Sequence, residues 1–363
     1  MAVRDPHDPD PARRYKAVQL NQGFAVSPDG IRWKDLDIPA IQSDDEGNFS
    51  YDPDRRLFIH TVKRRGTPPK NRDLWVRAHA LLTSRDFKTW KDHGLVFEAD
   101  ALDQTLGPRT IRSRLADPTV QHPRHHNPED YFVDVYNFAV FRYEGLYIGL
   151  PAMYHATGNV PNYPNTDGFQ IVQLTASRDL IHWNRLGDRK PFIGPSRLDS
   201  GAYDRSQILP PSAPVVRGDE LWFYYTGIKD RVTWKYVGKF PNGEHIPLPG
   251  YDPDHAAVCL AVLRRDGFIS LSAARTPGTL LTKPFAWRGK KLYVNADAHK
   301  GQLTVEALSP QRKRLAISHP LTADNPRAQI QWKSGTPAST RSRTITLRFR
   351  LKNPHLYAWW LDT

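Results

Sequence analysis

A seven-residue turn recurs along the chain. Ser27-Pro-Asp-Gly-Ile-Arg-Trp33 returns as Ser84-Arg-Asp-Phe-Lys-Thr-Trp90 and as Ser177-Arg-Asp-Leu-Ile-His-Trp183, with a weaker echo at Arg264-Arg-Asp-Gly-Phe-Ile-Ser270. Each copy follows an apolar stretch, at Gly23–Val26, Val76–Thr83, Gln170–Ala176 and Ala256–Leu263. Aspartate suits the tight turn, and the tryptophan that follows packs back on the sheet. A strand–turn–strand unit repeated along one chain points to the blades of a β-propeller. A β-sandwich with coincident turns is the alternative. The copies are unequally spaced, so the unit carries insertions.

Hairpins precede the copies. Gly47–Tyr51 and Leu57–Val62 flank one turn; Ala213–Val216 and Leu221–Tyr225 flank another. The longest is Asp134–Tyr143 with Leu146–Tyr154, rich in Val, Phe and Tyr and joined by Glu144-Gly145. Its polar residues sit at the end away from the turn: Asp134, Tyr136 and Asn137 on one strand, Tyr154 and His155 on the other. Rigid strands with chemistry at their open ends are a good scaffold for a site. Before the first copy only Tyr15–Leu20 reads as a strand. Its missing partner is expected from the far end of the propeller, closing the ring.

Two long stretches, 100–130 and 228–254, read as loops of the kind that wall a site. The first carries Arg112, Arg114, His122, His125 and His126; His245 and His255 belong to the second and its edge. None has zinc-ligand spacing, so neither metal nor cofactor is expected. From Ala273 the Ser-x-Asp units stop and short strands follow, at Lys291–Ala296, Gln302–Ala307, Gln329–Lys333, Thr344–Leu351 and Leu356–Leu361. The expected architecture is all-β: a five-bladed propeller over 1–272 and a small β-sandwich over 273–363. Trp332, Tyr357, Trp359 and Trp360 read as its core or its seam, with a sugar-stacking platform as the alternative.

Composition narrows the function classes. With 39% hydrophobic and 25% charged residues, the chain is globular, not disordered. No apolar run approaches the ~20 residues that span a bilayer, so no membrane role is expected. The net charge is +13, but the basic residues are scattered and form no nucleic-acid motif. An anionic carbohydrate is a better match than nucleic acid. Cys259 stands alone in an apolar strand, which suits a small core residue. The N-terminus has no apolar leader core; the protein is periplasmic or secreted if a leader was removed, and cytoplasmic otherwise.

The runs DVYNFAVFRYEGLYIGLPAMYH, DGFQIVQLTASRDLIHW, PPSAPVVRGDELWFYY and LRRDGFISLSA with GTLLTKPFAWRGKKLYVNADA resemble a planctomycete-type group of bacterial proteins. That group is described as similar to glycoside hydrolase family 32. The resemblance spans about Arg14 to Thr363 and is weaker toward the invertase-like enzymes of family 32 and the arabinanase-like enzymes of family 43. It implies a five-bladed propeller, a following β-sandwich and a funnel-shaped axial pocket. It also implies three carboxylates on inner strands: a nucleophile or base, a residue that tunes pKa or holds the sugar, and a general acid. The chain lacks the Asn-Asp-Pro-Asn, Arg-Asp-Pro and Glu-Cys signatures of those enzymes, so candidates come from its own strand starts.

A glycosidase needs two carboxyl groups flanking one bond. The equivalent points of three hairpins offer Asp45, Asp134 and Asp204 as catalytic candidates. Asp45 would be base or nucleophile, and Asp134 or Asp204 the acid. Glu46, Asn48, Arg77, His79, Tyr136, Asn137, His155, Asp167, Gln173 and Gln207 are the expected sugar-binding residues. Glu144 lies at the turn end of its hairpin and is rejected as the acid. The leading expectation is hydrolysis of a terminal glycosidic bond, with a uronic or sulfated sugar as substrate. A carbohydrate-binding propeller without turnover, and a lyase using Tyr136 and His155, are the alternatives.

Overall fold

The computed structural model describes residues 1–69, 73–160, 165–231, 254–274, 276–288, 291–337 and 344–362. Most of the expected loop at 228–254, His245 included, lies outside the described residues. The chain forms two compact units: Met1–Val215 with Trp222–Ala261, and Val216–Leu221 with Val262–Thr363. Both are built of antiparallel sheets.

In the first unit the sheets follow the chain. The first is β1 (Ala2–Arg4), β2 (Tyr15–Gln19), β3 (Gly23–Ser27) and β4 (Lys34–Leu36), in that order. The second is β5 (Gly47–Asp52), β6 (Leu57–Arg65), β7 (Arg77–Ser84) and β8 (Lys91–Phe97). The third is the long hairpin β9 (Phe132–Tyr143) and β10 (Leu146–Asn159). The far side of β10 is covered by β11 (Thr166–Val172) and β12 (Thr175–Ser177), with β13 (Asn184–Arg185) outermost. In the fourth, β14 (Gln207–Leu209) and β15 (Val215–Arg217) flank β16 (Glu220–Ile228), which also pairs β17 (Ala256–Arg264); Val216–Leu221 and Val262–Arg264 are counted with the second unit.

The recurring turn accounts for the ends of the third strands. Ser27 Oγ accepts from the backbone of Asp29 and Gly30, and Asp29 Oδ1 from Ile31 and Arg32. Ser177 and Asp179 repeat the pattern on 179–182. The fourth position has positive φ in the three full copies: Gly30 at 80°, Phe87 at 57° and Leu180 at 71°.

Two expectations are corrected. The strand that completes the first sheet is N-terminal: Ala2–Arg4 pairs Ala17–Tyr15, in place of a strand from the far end. The stretch 100–130 is also not all loop. It holds α1 (Ala101–Leu115), the one α-helix among the described residues, opened by a capping box between Asp100 and Asp103. Gly107 and Pro108 at its centre disguise it in the sequence. Glycine is required there because a Cβ would lie 2.4 Å from Val133 Cγ2.

The second unit holds two sheets. One orders β18 (Leu271–Ser272), β27 (His355–Asp362), β21 (Lys291–Asp297) and β24 (Asp324–Gln329). The other runs β19 (Gly278–Leu281), β26 (Thr344–Lys352), β22 (Gln302–Leu308), β23 (Arg314–Ser318) and β25 (Trp332–Gly335), with β20 (Phe285–Ala286) on β26. Leu292, Val294 and Ala296 of one sheet share a single core with Leu303, Val305, Leu347 and Phe349 of the other. Trp332 and Trp359 pack against that core, whereas Trp360 stacks on Tyr293. No helix among the described residues is long and apolar enough to cross a membrane.

Candidate active site

The site begins with an irregularity in β9. Asn137 pairs Ala152 and Val135 pairs Met153, so Tyr136 is an extra residue, a β-bulge. Val133 and Val135 before it, and Phe138 and Val140 after it, face one core. The apolar parity therefore switches from odd to even numbers across the bulge, and the consecutive Tyr136 and Asn137 both turn away from that core.

Around the Tyr136 ring stand three cations. Lys63 on β6, fully buried, places its ammonium 3.9 Å from the ring centroid. Arg77 on β7 lies at 5.1 Å, and Arg231 beyond β16 at 5.5 Å and at 4.7 Å from Tyr154. Each cation has a fixed partner. The Lys63 ammonium pairs with the half-exposed Asp45. Arg77 donates to Asp134 Oδ2 at 2.9 Å and to Asn165 Oδ1 at 3.1 Å, and its backbone N–H donates to the same Asp134 oxygen. Arg231 Nε donates to the Thr166 carbonyl at 2.9 Å. Asp134 Oδ1 is buried without a hydrogen-bond partner among the described residues.

Amides join the carboxylates to the strands. The Asn137 amide donates to Glu46 Oε2 at 2.7 Å, Asn48 donates to Asn137 Oδ1, and Ser212 donates to Asn48 Oδ1 at 2.8 Å. The backbone of Lys63 bonds Asp44 and Glu46, which folds the 43–46 segment over β6. Burial raises the Glu46 carboxyl above its ordinary range, against the pull of Lys63 and the Asn137 amide. Burial also lifts Tyr136, and it pushes Tyr154 up to about 12. Two neighbouring carboxyls thus differ: Glu46 is biased toward its protonated form, and Asp45 is held against an ammonium.

The structure joins Asp45, Glu46, Asn48, Arg77, Asp134, Tyr136 and Asn137. His79 lies beneath them, opposite Lys63 across β6 and β7. Its ring is fully buried, and burial, with Lys63 adding to it, lowers its pKa to about 3. The remaining candidates are placed elsewhere. Successive residues of a strand face opposite sides, so Tyr154 turns to the site and His155 away from it. His155 stacks on Phe169 at 4.9 Å. Asp204 accepts from the Tyr225 hydroxyl at 2.7 Å, and no contact among the described residues links it to the cluster. Asp167 accepts the backbone N–H groups of Arg124 and His125 and so anchors that loop. Gln173 accepts from Arg185, which bridges to Asp103. Gln207 is buried on β14 with no partner for its amide nitrogen among the described residues. Of the loop histidines, His122 bonds the Asp117 carbonyl. No trio of His, Cys, Asp or Glu among the described residues is placed to hold a metal.

No family model matches the chain, and no curated protein does. Solved structures resemble it at low similarity. One is a glycoside hydrolase, 15% identical with a TM-score of 0.36, spanning 67% of this chain and 57% of that one. A β-1,2-mannobiose phosphorylase from Listeria innocua is 13% identical with a TM-score of 0.36, spanning 91% and 66%. A family-32 β-fructofuranosidase from Bombyx mori is 8% identical with a TM-score of 0.33, spanning 93% and 84%. The chain spans little more than half the length of the first. Likenesses this faint carry neither activity nor substrate across.

Lys63, Tyr154, Asn165 and Arg231 belong to the cluster and are not among the expected binding residues. Neither Lys63 nor Arg231 has a signal in alternation. Every residue of β6 from Phe58 to Lys63 is buried, so alternation does not single out the lysine, and Arg231 lies beyond the end of β16 where no periodicity applies.

Proposed function

We propose that the protein is a carbohydrate-active hydrolase that cleaves a terminal glycosidic bond. Glu46 is its general acid, Asp45 its base or nucleophile, and Asp134 the anchor that orients Arg77. The observation that carries this is the placement of two adjacent carboxyls in opposite settings within one cluster. Such a pair divides the acid and base roles between its members. The acid role moves to Glu46 because Asp134 is locked to Arg77 and Asp204 stands apart. The net charge of +13 favours a uronic or sulfated sugar as the substrate. The architecture of this reading is a β-propeller, five-bladed in full, followed by a β-sandwich. Four successive sheets in the first unit, and two sheets on one core in the second, support it.

The test is a panel of neutral and anionic poly- and oligosaccharides, followed by new reducing ends and by ultraviolet absorbance. Reducing ends without absorbance are expected. Asp45→Asn and Glu46→Gln should each lower turnover roughly 10²- to 10⁴-fold while the fold is kept. Equal turnover in the variants would strip Asp45 and Glu46 of their base and acid roles, and an absorbing product would indicate a lyase. A second reading, sugar binding without turnover, is favoured by the ion pairing of Asp45 and Asp134. Binding on the panel with no product would establish it.

A further inference from the structure

The three copies of the recurring turn are not equivalent. Trp90 stacks on Phe24 at 5.2 Å, and Trp183 stands edge-on to Phe138 at 5.0 Å. Both pack against buried clusters. In the first copy the indole N–H is held as in the third: Trp33 donates to the Gly30 carbonyl at 3.1 Å and Trp183 to the Leu180 carbonyl at 3.0 Å. Yet Trp33 is 37% exposed and has no ring contact among the described residues. It lines a groove of about 390 Å³ with Asp10, Arg13, Arg32 and Lys34.

The polar groups of this groove are not equally available. Asp10 is committed to the backbone of Ala12. Arg13 pairs with Asp8 and Arg32 with Asp29, each leaving further N–H donors. Lys34 is exposed and has no ion pair among the described residues. Three cations thus line the groove beside one carboxylate, and an indole face is freed from the core. An aromatic face takes the C–H side of a pyranose ring, and the cations take its acidic substituent.

We infer that the groove at Trp33 is a second carbohydrate-binding site, separate from the Glu46 cluster, and that its ligand is a glycan bearing carboxylate or sulfate groups. It draws on the proposed function only for the class of ligand.

The test is affinity electrophoresis of the full chain in gels containing carboxymethyl-dextran, dextran sulfate or neutral dextran. Retardation is expected in one or both anionic gels, which separates the carboxylate from the sulfate source, and not in the neutral gel. Trp33→Ala should weaken it roughly fivefold. That substitution changes no charge, so the loss cannot come from the net positive charge of the chain. Trp33→Phe should restore part of it. Wild-type retardation in Trp33→Ala, equal retardation in the neutral gel, or none in either anionic gel would overturn the inference. None of the residues lining the groove belongs to the Glu46 cluster. A failed turnover assay therefore leaves this result standing, and a failed retardation leaves the catalytic proposal standing.

Discussion

At the scale of single residues, Glu46 sets a conflict between stability and chemistry. Its pKa in the fold lies above its value in the unfolded chain, because burial disfavours the charged form. The folded state therefore holds the proton more tightly. The stability this gives is present below the ordinary glutamate range and is lost as pH rises through the raised value. Glu46→Gln removes that loss and keeps an acceptor for Asn137. It should melt above wild type at neutral pH, with the difference closing in acid. Thermal melts at both pH values check it, and a lower neutral melting temperature for the variant would contradict it. Lys63→Met probes the same group from the other side. The ammonium favours ionised Glu46, so its loss should move the alkaline limb of the pH–rate profile upward. A limb that stays in place would remove Glu46 as the acid.

At the scale of elements, the recurring turn is the main ordering device. Ser177 is buried, and its hydroxyl takes the backbone N–H groups of Asp179 and Leu180. Ser177→Ala leaves them without that acceptor and should cost about 1 kcal/mol. Denaturant unfolding reads this as a lowered midpoint at unchanged slope. Ser27→Ala should behave alike, since its hydroxyl makes the same two bonds. Such turns are legible in the sequence because their bonds are local. The hairpin ends are legible for the same reason, and with them Asp134, Tyr136, Asn137, Asp45 and Asn48. Facing is less so. The bulge at Tyr136 reverses the parity of β9, and no pattern in DVYNFAVF announces it. His155 ends a strand that points to the site, which is why the sequence suggests it, but strand alternation gives that place to Tyr154. Asp204 occupies the equivalent point of its hairpin and still bonds Tyr225, a contact made across 21 residues. Position along a strand is written in the sequence; a partner on another strand is not.

At the scale of the molecule, the two units should answer acid differently. His60, His79 and His155 are buried in the first unit, where burial lowers them to about 4, 3 and 4. The unfolded chain takes up these protons near the ordinary histidine range, and the fold refuses them until much lower pH. Stability is therefore lost as pH falls from about 6.5 toward 4, on the order of 3 kcal/mol for each histidine. Glu46 and Asp167, both raised by burial, act in the opposite sense, two groups against three. In the second unit the described histidines His299, His319 and His355 are exposed. Burial acts to raise Glu306, but Arg350 and Arg348 outweigh it and hold it below its ordinary value. Its contribution is lost only below the ordinary glutamate range. Between pH 6.5 and 4.5 the first unit should loosen while the second keeps its core. Hydrogen exchange at pH 5 and 7, corrected for intrinsic rates, should show protection falling at Phe58–Val62 and Met153–Ala156. Protection at Leu303–Ala307 and Ile345–Phe349 should hold. Uniform loss, or loss beginning in the second unit, would mean that the three histidines do not govern acid stability.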